Sequence, residues 1–198
     1  MLVGSRDGFG LEFHLERDPE LLCVDVHIGG LWVDARDNAF YPPLLVKKLK
    51  EELARYRAPI AAPAGFGSPV EALRLAEWAR YEEAAPGVGN GTGEELARWV
   101  FLEWGECTDD VSVFAFPDGE SVHLACRTWE GGGAAWGTEP RQEPTVVSVS
   151  RAEFVGTLER GLAVAEREWA VRLAALRAGR GEESATPGAL SEGSTRVP

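Results

Sequence analysis

Asp118-Gly119, set between two apolar alternating runs, most restricts what this chain can fold into, because Asp-Gly in that setting closes a two-residue β-hairpin. Strands are expected over 111–116 and 121–129, and counting outward from the turn pairs Phe116 with Ser121, Phe114 with His123 and Val113 with Leu124. One face then carries Val111, Val113, Ala115, Val122, Leu124 and Cys126, all apolar, and is the core face. The other carries Phe114, Phe116 and Trp129 beside Ser112, Ser121, His123 and Arg127, so it is expected to be partly covered. Upstream, 98–104 is apolar at both parities, as in a strand packed on two sides. Three antiparallel strands therefore form the middle of the molecule.

A second hairpin stands nearer the start. Strand 21–28 turns through Gly29-Gly30 into 31–36, which pairs Ile28 with Leu31, Val26 with Val33 and Val24 with Ala35 as a core face. Its opposite face pairs His27 with Trp32, Asp25 with Asp34 and Cys23 with Arg36. The alternating run 10–16 is a half-buried strand that brings Glu12, His14 and Glu16 alongside. Two aspartates opposite each other repel by roughly a few tenths to about 1 kcal/mol, which a sheet built for stability alone does not favour. Either Arg36 or water screens them on a solvated face, or Glu12, His14, Asp25, His27, Trp32 and Asp34 make an acidic, aromatic-bearing surface for a basic partner.

Helices are expected from Pro42-Pro43 to about Arg57, with Leu45, Leu49, Leu53 and Tyr56 inward, and from Ser68-Pro69 to about Glu83, with Leu75, Trp78 and Ala79 inward. The segment 84–93 is a Gly-rich loop, and 130–143 is another. A last strand over 145–149 runs into Ser150-Arg151-Ala152-Glu153, a capping box. The helix it opens carries Phe154, Leu158, Leu162, Ala165, Trp169 and Leu173 on one face and ends at Gly179. The fold class is thus α+β, an antiparallel sheet built from two or more hairpins with helices packed on one face. A single domain spans 1–178, and 179–198 forms a disordered tail.

The formal net charge is −12, nearly all of it outside the tail. Such a field disfavours nucleic acid and anionic membranes and speeds encounter with a basic protein. The absence of a signal-like first segment and of a long apolar run leads to a cytoplasmic expectation. Three cysteines without metal-type spacing suggest no disulfide framework, and no cofactor is expected. The run 87–93 lacks the strand before it and the Gly-Lys-Ser/Thr of a phosphate loop, and 65–69 misses the nucleophile-elbow spacing. Cys23 and His27 share a face but stand roughly 13 Å apart, too far to chelate together. The remaining candidate for metal is His14 with Asp25, His27 and Asp34.

In overall form, with the strand run 21–36 leading into a helix and 146–149 leading through Ser150 into the closing helix, the chain resembles the small acidic α+β immunity proteins of bacterial polymorphic toxin systems. The resemblance implies a non-catalytic binding module whose partner is a toxin, such as a basic nuclease, docking on Asp25, His27, Trp32 and Asp34. Asp34→Lys would then slow association and leave the fold intact. Two other functions fit the residues: a metal-dependent enzyme using the His/Asp cluster, and a structural or scaffolding subunit.

Overall fold

The computed structural model describes residues 1–34, 37–81, 91–128 and 143–183, the last of them with side chains to 178. In chain order the strands and helices are β1 (Leu2–Gly4), β2 (Phe9–His14), β3 (Leu22–Ile28), β4 (Leu31–Trp32), β5 (Ala39–Phe40), α1 (Pro42–Tyr56), α2 (Pro69–Tyr81), α3 (Gly91–Ala97), β6 (Val100–Phe101), β7 (Val111–Asp118), β8 (Ser121–Thr128), β9 (Thr145–Ser150) and α4 (Arg151–Glu183). The fold is α+β. The strands form two antiparallel sheets, one ordered β1-β2-β3-β4 with β5 also on β3, the other β6-β7-β8-β9.

The central hairpin closes one residue later than the count from Asp118-Gly119. Asp118 pairs with Ser121, Ala115 with Leu124 and Val113 with Cys126, so Gly119-Glu120 is the turn. Gly119 has φ 60° at the first turn position, where a II′ turn favours glycine. Each partner thereby shifts by two residues, and because side chains alternate with period two the faces stay as expected. Val111, Val113, Ala115, Val122, Leu124 and Cys126 all enter the main core. Phe114, Phe116 and Ala125, on the other side, form a smaller core with Ala72, Leu73, Ala76 and Leu96 of α2 and α3. The covering of the second face is therefore by helices of the same chain.

Of the α2 stripe expected from Leu75, Trp78 and Ala79, Leu75 packs half-buried against the smaller core, but Trp78 and Ala79 do not lead the inward face. Ala72, Leu73 and Ala76 are buried against the sheet, while Leu75 and Ala79 face Gly93 of α3 closely enough that a Cβ there would meet Leu75 O at 3.0 Å. Two neighbours on different sides, rather than one, displace the stripe. α3 begins at Gly91, inside the expected loop, whose first residues to 90 lie outside the described set.

The expected strand 98–104 reduces to Val100–Phe101. The chain leaves the ladder at Leu102, whose φ of 65° is unusual for a non-glycine residue, and Trp104 turns back into the core. With β6 so short, the Ala115 carbonyl finds no strand partner on that side, and buried Tyr56 Oη donates to it at 2.6 Å. Tyr56→Phe is expected to cost about 1–3 kcal/mol in urea unfolding, because it strands a buried carbonyl. A loss below a few tenths would mean that water replaces the phenol.

α1 and α4 share one core with both sheets, with Leu45, Leu49, Phe154, Leu158 and Ala165 packed among Phe9, Leu11, Phe13, Val24 and Val26 of the first and Val113, Ala115 and Leu124 of the second. Ser150 Oγ accepts from the Glu153 N–H at 3.1 Å, and Ser68 Oγ from the Glu71 N–H at 3.3 Å, so both expected N-caps form. Of the expected α4 face, Leu162, Trp169 and Leu173 are half-buried. Of the tail expected over 179–198, residues to Glu183 continue α4 past Gly179, and the rest lie outside the described residues. Trp129, Trp136 and Arg36 also lie outside them.

Candidate functional site

The first sheet has one face in the core and one face without a covering helix among the described residues. β2 pairs with β3 over Phe9↔Ile28 to His14↔Cys23, which sets Leu11, Phe13, Val24, Val26 and Ile28 inward and Gly10, Glu12, His14, Cys23, Asp25 and His27 outward. Glu12 stands directly opposite Asp25, and His27 opposite Trp32. β1 extends the row with Leu2 beside Glu12. The segments between β1 and β2 and between β4 and β5 supply two further residues, Arg6 and Asn38.

The outward side chains are interlinked. A hydrogen bond of 2.8 Å joins His14 Nε2 and Asp25 Oδ2, and Asn38 Nδ2 donates to Asp25 Oδ1 at 2.5 Å. Arg6 clasps Glu12 Oε2 through Nη2 at 2.5 Å and Nε at 3.1 Å. That guanidinium holds the Glu12 carboxyl below its usual range, against a partial opposing effect of burial. His27 Nε2 lies 3.4 Å from Glu12 Oε2, within ion-pair reach, yet has no hydrogen-bond partner. Asp25 and His27 each keep only 8% of their surface, and Trp32, at 42%, is the exposed residue of the group.

Asp34 does not stand opposite Asp25. β4 ends at Trp32, and the chain turns so that Asp34 Oδ1 accepts the Val26 N–H at 2.8 Å while the Val33 N–H donates to Val26 O at 2.9 Å. The side chain thus substitutes for the missing strand at the β3 edge. It is 2% exposed. Its burial, first, and the nearby Asp25 raise its carboxyl to about 7, although the backbone bonds from Val26 and Asp34 oppose this. Asp34→Lys would bury an ammonium ion here and remove the acceptor, so the fold is not expected to survive it intact. The edge beyond Asp34 is taken by β5, with Leu22↔Phe40 and Cys23↔Ala39.

The expected set is thus brought together in part. Glu12, His14, Asp25, His27 and Trp32 share one face, and Asp34 lies at the sheet edge beneath it. Glu16 falls beyond the end of β2 and is exposed. Arg6 and Asn38 carry no sequence signal of their own, since both reach the site through pairings of short strands. Among the described residues the three cysteines are free, and Cys126 is buried on the core face. No helix among the described residues is long and apolar enough to cross a membrane.

Fold and site together define an α+β protein of two antiparallel sheets, with a largely buried, ionisable outer face on the first and Trp32 exposed at its rim. No protein-family model matches the chain. No curated protein matches it either. Among solved structures it is similar to CdiI from Burkholderia dolosa AUO158, at 18% identity and a TM-score of 0.49, over 82% of this chain and 99% of that one.

Proposed function

We propose that the protein is a non-catalytic binding module of the immunity type, whose first sheet receives a basic protein partner at the Trp32 rim of its outer face. The observation that carries this reading is Trp32, a large aromatic side chain 42% exposed on a strand, at the rim of a row of ordered polar groups. An exposed tryptophan on a rigid element loses little entropy when covered, and such residues anchor protein interfaces. A formal net charge of −12 favours a partner of opposite sign. The buried members, Asp25 and His27, hold the surface in shape, while Trp32, His14 and Glu12 offer the contact.

A partner is sought by capture from the host lysate and then tested with the purified pair. Trp32→Ala is expected to weaken binding by about 2 kcal/mol, close to 30-fold, mostly through faster dissociation. Raising salt from low to moderate is expected to slow association. A stoichiometric partner whose affinity ignores both Trp32→Ala and His14→Ala would move the interface off this face.

A further inference from the structure

We infer that Glu12, Asp25 and His27 form a binding site for one zinc ion on the outer face of the first sheet. The nitrogen of His27 and one oxygen from each carboxylate lie within 4.8 Å of one another. Sequence spacing points to a set containing Asp34, but the β2–β3 register puts Glu12 in that place.

The sign that this group is built for a ligand is His27. It is 8% exposed, its Nε2 is sealed from solvent, and the polar contact of that atom is a long one, 3.4 Å to Glu12 Oε2, without hydrogen-bond geometry. A sealed imidazole nitrogen so loosely satisfied is relieved by a metal ion shared with the carboxylates. Its 3.4 Å separation from Glu12 Oε2 is long for a hydrogen bond. It suits two ligands of one tetrahedral ion, which at about 2.0–2.2 Å from the metal stand roughly 3.3–3.6 Å apart.

The surroundings support the ligands as metal sites require. Asn38 orients Asp25 through Oδ1, and Oδ2 reaches the ion by giving up its bond to His14 Nε2. One imidazole and two carboxylates suit zinc, and they offer too few oxygens for calcium. Two carboxylates also balance the charge of a divalent ion. Arg6 is the opposing influence, being a cation at the same Glu12 oxygen. The site does not depend on the proposed partner, since all three ligands come from this chain.

The test uses untagged, chelator-stripped full-length protein and zinc alone, with no partner present, followed by calorimetric titration and metal analysis. One ion per chain is expected, and His27→Gln should weaken binding by about 100-fold or more. Arg6→Ala should leave binding intact or tighten it. Should His27→Gln fail to fold by circular dichroism, Glu12→Gln, which changes a half-buried side chain, must show the same loss. The proposal is overturned if wild-type protein takes up no stoichiometric zinc. It is overturned equally if uptake is unchanged in the folded ligand variants, or is abolished by Cys23→Ser or Cys107→Ser with the ligands in place. Failure here leaves the protein-binding reading untouched.

Discussion

Phe154→Ala is expected to destabilise the protein by about 3–5 kcal/mol, among the largest effects available to a single substitution. The ring is fully buried in the first turn of α4. It stands 5.0 Å from Phe9 of β2, 5.0 Å from Tyr56 of α1 and 5.4 Å from Phe101 of β6. One side chain thus joins both sheets and both inner helices. The capped first turn cannot slide to fill the space, because Ser150 holds the Glu153 N–H and the Arg151 N–H donates to Glu120 O at 2.8 Å. The cavity therefore stays, and lost burial and lost contact add. Urea unfolding should show a large drop in midpoint with little change in slope. Val146→Ala, on the exposed edge of β9, should cost under about 0.5 kcal/mol and serves as control. A Phe154→Ala loss under about 1 kcal/mol would mean that the core collapses onto the gap.

Asp34→Asn is expected to reshape the dependence of stability on pH. The wild-type carboxyl titrates at about 7 in the fold against an ordinary value of 3.8. Between those values the native state keeps a proton that the unfolded chain has lost. Stability from this group therefore falls as pH rises through that window, and the penalty is complete above pH 7. A rise of that size corresponds to an upper bound on the order of 4 kcal/mol, and about 2 kcal/mol is a realistic expectation once relaxation is allowed. Asparagine keeps an oxygen for the Val26 N–H and carries no charge at any pH. At pH 5 the variant should match wild type within about 1 kcal/mol. At pH 8 it should be more stable by on the order of 2 kcal/mol. Glu52, raised to about 7 by burial, adds a slope of the same sign to both proteins and cancels in the comparison. Parallel profiles for the two proteins would show that Asp34 is ionised in the fold at neutral pH without cost.

The two proposals on the outer face are separable in the same way. Trp32 is exposed and bears on a partner, whereas His27 is sealed and bears on an ion. Both residues are legible from the sequence as members of one face, because Gly29-Gly30 sets the register of the hairpin. The same count misplaces Asp34. A ladder extrapolated past two pairs assumes that the strand continues, and here it does not. Nothing local to 33–36 reveals the break. Its cause is that β5 competes for the same β3 edge, through the Val24 N–H to Asn38 O bond of 2.8 Å.

Alternation, turns and caps thus determined which strand residues face the core, where α1 and α4 begin, and that the strands pair antiparallel. These are properties of neighbours along the chain, with periods of two and of three to four residues, and they survive even a register shift of two. The tertiary structure alone decided that there are two sheets, sharing one core with α1 and α4, while α2 and α3 cover the other face of the second. It alone brought Arg6 to Glu12 and Asn38 to Asp25, and buried Arg172, whose Nη2 donates to the Leu15 and Asp18 carbonyls from the far end of α4. Such contacts join segments far apart in sequence. They are chosen by which arrangement buries the most apolar surface with its polar groups paired, a quantity that belongs to the whole chain and to no window of it.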